Sequence, residues 1–151
     1  MVSNAELYEQ DFYGWCLTTV ALIRAGKWYE IDPTAVAEEL ESVGRSEKHV
    51  MESRVEVLLR HLLKWRYQPE RRERGRSWRS TIREQRYRLT RLMQSSPSLQ
   101  PLSPPTVQEE YPHARQRASD ETRLSLATFP PACPWTVTQM LDADFWPEGE
   151  I

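Results

Sequence analysis

The chain has 151 residues with 39% hydrophobic and 28% charged content, which is ordinary globular usage and excludes a disordered or fibrous protein. No run approaches the roughly eighteen apolar residues needed to span a bilayer, so the expectation is a cytoplasmic protein with no membrane contact. Its formal charge of −2 conceals a division: residues 1–59 carry 5 Lys/Arg against 11 Asp/Glu, residues 60–91 carry 12 against 3, and residues 92–151 carry 3 against 8. A basic belt therefore lies between two acidic flanks, which points towards charged partners or internal pairing.

From Asn4 to Ala25, the apolar residues Tyr8, Phe12, Trp15, Cys16, Thr19, Leu22 and Ile23 recur at helical spacing, and Gly26 reads as the stop. With only Cys16 and Cys133 present, both are read as reduced thiols, Cys16 packing in the core. Asp32-Pro33 opens the next helix, with Val36, Leu40 and Val43 inward and Gly44 at its end. Its Glu38, Glu39 and Glu41 are read as a solvated face.

Ser46 then caps a longer helix reaching Tyr67, in which Met51, Val55, Leu58, Leu62 and Trp65 alternate at steps of four and three. Leu59 and Leu63 widen this stripe, so the helix should contact more than one partner. Gln68-Pro69 ends it, because the residue before proline is pushed out of the α region. After the loop ERRERGR, Ser77 caps a second long helix with Trp78, Ile82, Leu89 and Leu92 inward and Arg79, Arg83 and Arg86 on another face. The short link predicts an antiparallel hairpin.

Residues 94–105, QSSPSLQPLSPP, read as a loop, and a further helix starts near Thr106, with Pro112 tolerated in its first turns. Thr136 caps a last short helix, and Phe145 and Trp146 should dock onto the body before an acidic tail. No strand alternation is long enough to matter. The prediction is an all-α, single-domain bundle over residues 1–151, with about five or six helices, a central helix hairpin and a Pro-rich, irregular C-terminal third.

No phosphate loop, dinucleotide fingerprint, nucleophile elbow or metal motif is present, so no catalytic, cofactor-binding or metal-ligating residue is assigned. His49 and His61, twelve residues apart on one helix, stand about 18 Å apart along its axis and cannot share a metal ion there. What remains is the arginine cluster. Arg71, Arg72, Arg74, Arg76, Arg79, Arg83, Arg86, Arg88 and Arg91, interleaved with Trp78 and Tyr87, could neutralise phosphates and stack on bases. Arg71, Arg72, Arg76, Trp78, Arg79, Arg83 and Arg86 form the candidate binding surface. The same composition suits arginines paired with Glu38, Glu39, Glu41, Asp120 or Glu121 or with another subunit, and the acidic flanks and pI near 6.0 favour that pairing. A weaker pocket candidate gathers Glu41, His61, Lys64 and Glu121.

The chain also resembles the family called domain of unknown function 29, common in cyanobacteria. The resemblance rests on YEQDFYGW at 8–15, EELESVGRSE at 38–47, HLLKW at 61–65, QPERR at 68–72, SWRSTIREQR at 77–86, PSL at 97–99, ETRLSLATFP at 121–130 and CPWTVTQMLDADFWPE at 133–148. It implies a small, stand-alone helical bacterial protein and supplies no activity or site residue. The expected function is a non-enzymatic helical protein acting through protein–protein contacts, self-associating or meeting another protein, with nucleic-acid binding through residues 71–91 as the alternative.

Overall fold

The structure is a computed structural model that describes residues 2–72 and 76–148, Arg76 by its backbone alone. The described residues hold six α-helices and no strand, as the periodicity predicts: α1 Asn4–Gln10, α2 Phe12–Arg24, α3 Pro33–Tyr67, α4 Arg76–Ser95, α5 Ser103–Thr122 and α6 Val137–Leu141. The chain divides into two compact units, one up to Glu47 and the other from Lys48.

The first unit corrects the single helix expected over residues 4–25. At Asp11 the backbone leaves the helix (φ −150°, ψ 87°), and its carboxylate accepts the Gly14 N–H, starting α2 anew. A side chain at Gly14 would collide with that carboxylate, so the tight cap requires glycine there. Ser3 and Glu6 form a reciprocal capping box on α1. Asn4 ties the unit together: its Oδ1 accepts from Trp15 Nε1 and the Asp32 N–H, and its Nδ2 donates to Thr19 Oγ1. Trp15 is boxed by Tyr8 and Phe12, at 4.8 and 5.7 Å between centroids. Gly26 closes α2's exit at φ 73°, as expected of a helix stop. Cys16 is only half-buried, at the margin of this packing.

The expected break at Gly44 is absent, and α3 runs unbroken from Pro33 to Tyr67. Asp32 caps its start through Thr34 N. The Glu41–Arg45 pair, one turn apart, spans the glycine and helps carry the helix across it, and Lys48–Glu52 supports the turn that follows. Leu40 and Val43, predicted inward, are exposed, whereas Ala35 is buried. Nothing lies within 4 Å of a Cβ placed at Gly44, so Gly44→Ala is expected to raise stability by about 0.5–1 kcal/mol, read from the urea midpoint.

The second unit carries the main core. Met51, Val55, Leu58, Leu59, Leu62, Leu63 and Trp65 are all buried, so the wide stripe on α3 is covered as predicted. Arg54 meets Gln85 and Trp65 meets Arg79, pairings that run α4 antiparallel to α3. Ile82, Leu89 and Met93 of α4 and Val107, Tyr111, Ala114 and Ala118 of α5 complete the packing. Residues 94–105 are not a loop. Helix α4 reaches Ser95, a 3₁₀ turn follows over Pro97–Leu102 with Leu99 buried, and α5 begins at Ser103. Pro104 and Pro105 fit its first turn, where their missing N–H groups are not needed. Pro112 sits half-way along α5 and not in its first turns, yet the helix continues to Thr122.

Candidate functional site

Helix α4 explains the arginines once its core stripe is followed residue by residue. Ile82, Arg86, Leu89 and Met93 fall on one line at steps of four, three and four, so Arg86 is carried into the core with its apolar neighbours. It is 3% exposed, which corrects its expected outward placement. Buried guanidinium must find acceptors, and Nε donates to the Met140 carbonyl and Nη2 to the Phe145 carbonyl, both at 2.6 Å. Burial pulls its pKa below the ordinary arginine range, with Asp142 opposing.

Arg72 does the same from the end of the hairpin link. Its Nε donates to Trp65 O at 2.6 Å and Nη2 to Pro147 O at 3.3 Å. The segment after α6 is thereby held by two arginines through its backbone, independent of its side-chain charges. Trp146 docks as predicted, 4.7 Å from Trp65, with Arg79, Arg83 and Arg86 over its ring at 5.3, 5.9 and 5.2 Å.

Arg79 and Arg83 are different. Both are exposed, and neither has a carboxylate or carbonyl partner among the described residues. With Arg72, Trp65, Tyr87 and Glu148 they line a groove of about 1280 Å³. Glu70 and Glu84 also line it, so with Glu148 three carboxylates share the groove with three arginines. Arg88 takes Glu84 at 2.7 Å and stands, with Arg91, beside the exposed Tyr87 ring. Arg71 is exposed in the 3₁₀ turn Pro69–Arg71. Trp78 is half-buried against the core, 6.0 Å from Lys64 Nζ. Arg74 and the Arg76 side chain lie outside the described residues.

The expected pairing of α4 arginines with acidic-flank carboxylates is replaced by other partnerships. Glu121 is taken by Arg60 at 2.6 Å and by Lys64, while Glu56 holds Arg60 and Arg117. Glu41 meets Arg45, Glu39 accepts from Tyr8 and Asp120 accepts from Gln116. Of the weak pocket candidates, Lys64 and Glu121 come together as an ion pair, and Glu41 belongs to the first unit. His61 bonds through Nδ1 to the Val57 carbonyl at 2.8 Å, and burial lowers its pKa, with Lys64 and Arg60 adding to the effect. This is a hydrogen-bonded packing histidine.

Burial of Glu121 raises its pKa, but the bonds from Lys64 and Arg60 outweigh it and the net shift is downward. A carboxyl with a depressed folded-state pKa gives stability that is present above its unfolded pKa and lost as pH falls through the folded one. Glu121→Gln is therefore expected to cost about 1–2 kcal/mol at neutral pH, discounted for its partial exposure, with the deficit vanishing well below pH 4.5. Urea melts of both chains at several pH values check it.

A family model matches residues 7–146. The chain belongs to the family described as Domain of unknown function DUF29. The family assigns no chemistry to any of the residues above. No curated protein and no solved structure matches the chain. Among the described residues no cluster of His, Cys, Asp and Glu could hold a metal ion, and no helix is long and apolar enough to cross a membrane.

Proposed function

We propose that this protein works by protein–protein contact, with the α4 groove as its binding surface for acidic protein segments, and that it also associates with itself. The observation that supports this reading is the contrast between Arg72 and Arg86, spent on backbone carbonyls, and Arg79 and Arg83, which face the groove without such partners. Arginine beside the exposed Tyr87 ring is the composition of interface hot spots, where rigid aromatic area and forked donors concentrate binding energy. The lining carboxylates Glu70, Glu84 and Glu148 favour a protein over a nucleic acid, because a continuous phosphate backbone would run against them, whereas a protein segment can set its carboxylates on Arg79 and Arg83 and place other side chains against these three.

A second reading has its own support. Arg79, Arg83, Tyr87 and Arg91 lie four residues apart along α4, a line of about 18 Å suited to successive phosphates with one stacking ring. A fluorescence titration separates the two, since Trp65 lines the groove and Trp146 packs on Trp65. A Glu-rich peptide should change their emission at low salt, with the change lost at high salt, while duplex DNA and single-stranded RNA give none. A salt-sensitive response to the nucleic acids alone would reverse the assignment.

A further inference from the structure

The first unit carries an acidic segment of the kind the α4 groove would accept. Every residue from 40 to 47 of α3 is exposed. Glu38, Glu41 and Arg45, at steps of three and four, share one side of the helix, with Glu41 71% and Arg45 63% exposed. Glu38 is exposed too and has no cation partner among the described residues. Beside it Glu39 accepts from the Tyr8 hydroxyl, whose pKa is pushed up to about 12, first by that bond, then by desolvation and the charges of Glu39, Glu38 and Glu9. No cation offsets this crowding of carboxylates. One surface of the chain thus holds carboxylates in excess, and another holds Arg79 and Arg83 without carboxylates.

We propose that a second copy of this chain fills the groove, its α3 segment Glu38–Arg45 lying antiparallel to α4 so that Glu41 meets Arg79 and Glu38 meets Arg83. This rests on the groove reading above and names its partner. The order of charges supports it. Arg79 and Arg83 stand about 6 Å apart along α4, and Glu38 and Glu41 about 4.5 Å apart along α3, a difference that long guanidinium side chains span. An antiparallel run carries Arg45 one turn past Arg79, towards the end of the groove where Glu70 and Glu148 act on Arg72. The segment's cation then meets the groove's carboxylates. The parallel run would carry Arg45 towards Arg88 and Arg91, which repel it. Because the contact joins two different surfaces, it is head-to-tail and can add copies one after another.

Light scattering on the full chain tests this with two complementary variants. At low salt the wild-type mass should exceed 17.8 kDa and grow with concentration, returning to 17.8 kDa at high salt. Glu38→Gln/Glu41→Gln keeps its groove and Arg79→Glu/Arg83→Glu keeps its acidic segment, so each alone should scatter as a monomer. Their equal mixture should stop at twice 17.8 kDa, because one working groove and one working segment remain. A wild type that is monomeric at low salt, a variant that still associates, or a mixture that stays monomeric would overturn the proposal. Should either variant lose helicity by circular dichroism, carbodiimide coupling of the Arg79→Lys/Arg83→Lys chain decides instead. In the coupled dimer, position 79 or 83 of one copy should be joined to Glu38 or Glu41 of the other, and absence of that link overturns the contact. A chain that stays monomeric yet binds the Glu-rich peptide ends this proposal and leaves the groove reading intact. Association abolished by either variant beside a failed peptide titration supports this contact and ends the reading of the groove as a general acceptor of acidic segments.

Discussion

Arg86→Ala should lower the unfolding free energy by about 4 kcal/mol and release the segment that follows α6. The side chain is buried, and its loss strands the carbonyls of Met140 and Phe145, each costing about 1–3 kcal/mol when left without a donor in the interior. A cavity beside Ile82 and Leu89 adds to this, because the core around α4 can only partly collapse. Arg86→Lys keeps the charge but not the fork, so a single ammonium can serve one carbonyl well, and about half the loss should remain. Denaturant midpoints for the three chains give the comparison. A loss under about 1 kcal/mol for Arg86→Ala would show that the two bonds contribute little.

Trp146→Ala should cost about 3 kcal/mol, towards the lower end for a large aromatic because the ring is only half-buried. The ring packs on Trp65 and is overlaid by three guanidinium groups, so its removal also leaves Arg83 without its stacking surface and Arg79 with Trp65 alone. Trp146→Phe should retain most of this. Since Arg86 and Trp146 hold the same segment, the double alanine variant should lose less than the two single losses together, by about 1 kcal/mol or more. Strict additivity would mean that the arginine and the ring secure the segment independently.

How far these features were legible follows from what periodicity can encode. The stripe from Met51 to Trp65 reads directly, since seven apolar residues at helical spacing have one economical explanation, and all seven are buried. The docking of Trp146 is legible on another ground, because Phe145 and Trp146 form an apolar pair beside an acidic tail and such a pair seeks the body of the protein. Arg86 is not, because residue type argues outward while position argues inward. Its place between Ile82 and Leu89 is the signal that identifies it, and that signal has to outweigh the charge. Leu40 and Val43 show the converse: their spacing marks an apolar face of α3 but contains nothing about whether the same unit covers it. Gly44 reads as a stop by frequency alone, yet its cost of roughly 1 kcal/mol is small against a 35-residue helix with flanking ion pairs. The partners of Arg72 and Arg86 are backbone carbonyls, which every residue carries, so sequence charge could suggest only carboxylates.

The groove itself was half-visible. Arg72, Arg79 and Arg83 belong to the basic cluster read from the sequence, whereas Trp65 serves both core and groove, and Glu148 arrives from the far end of the chain. That convergence depends on the tail returning to α4, which is fixed by hydrogen bonds and not by any local pattern.

On this reading α4 divides its arginines between scaffold, in Arg86, and surface, in Arg79 and Arg83. The most direct test is calorimetric titration of Arg79→Glu/Arg83→Glu with the same Glu-rich peptide, alongside its urea midpoint. The division predicts at least a tenfold loss of affinity with stability held within about 1 kcal/mol of wild type. Unchanged affinity, or a stability loss as large as that of Arg86→Ala, would contradict it.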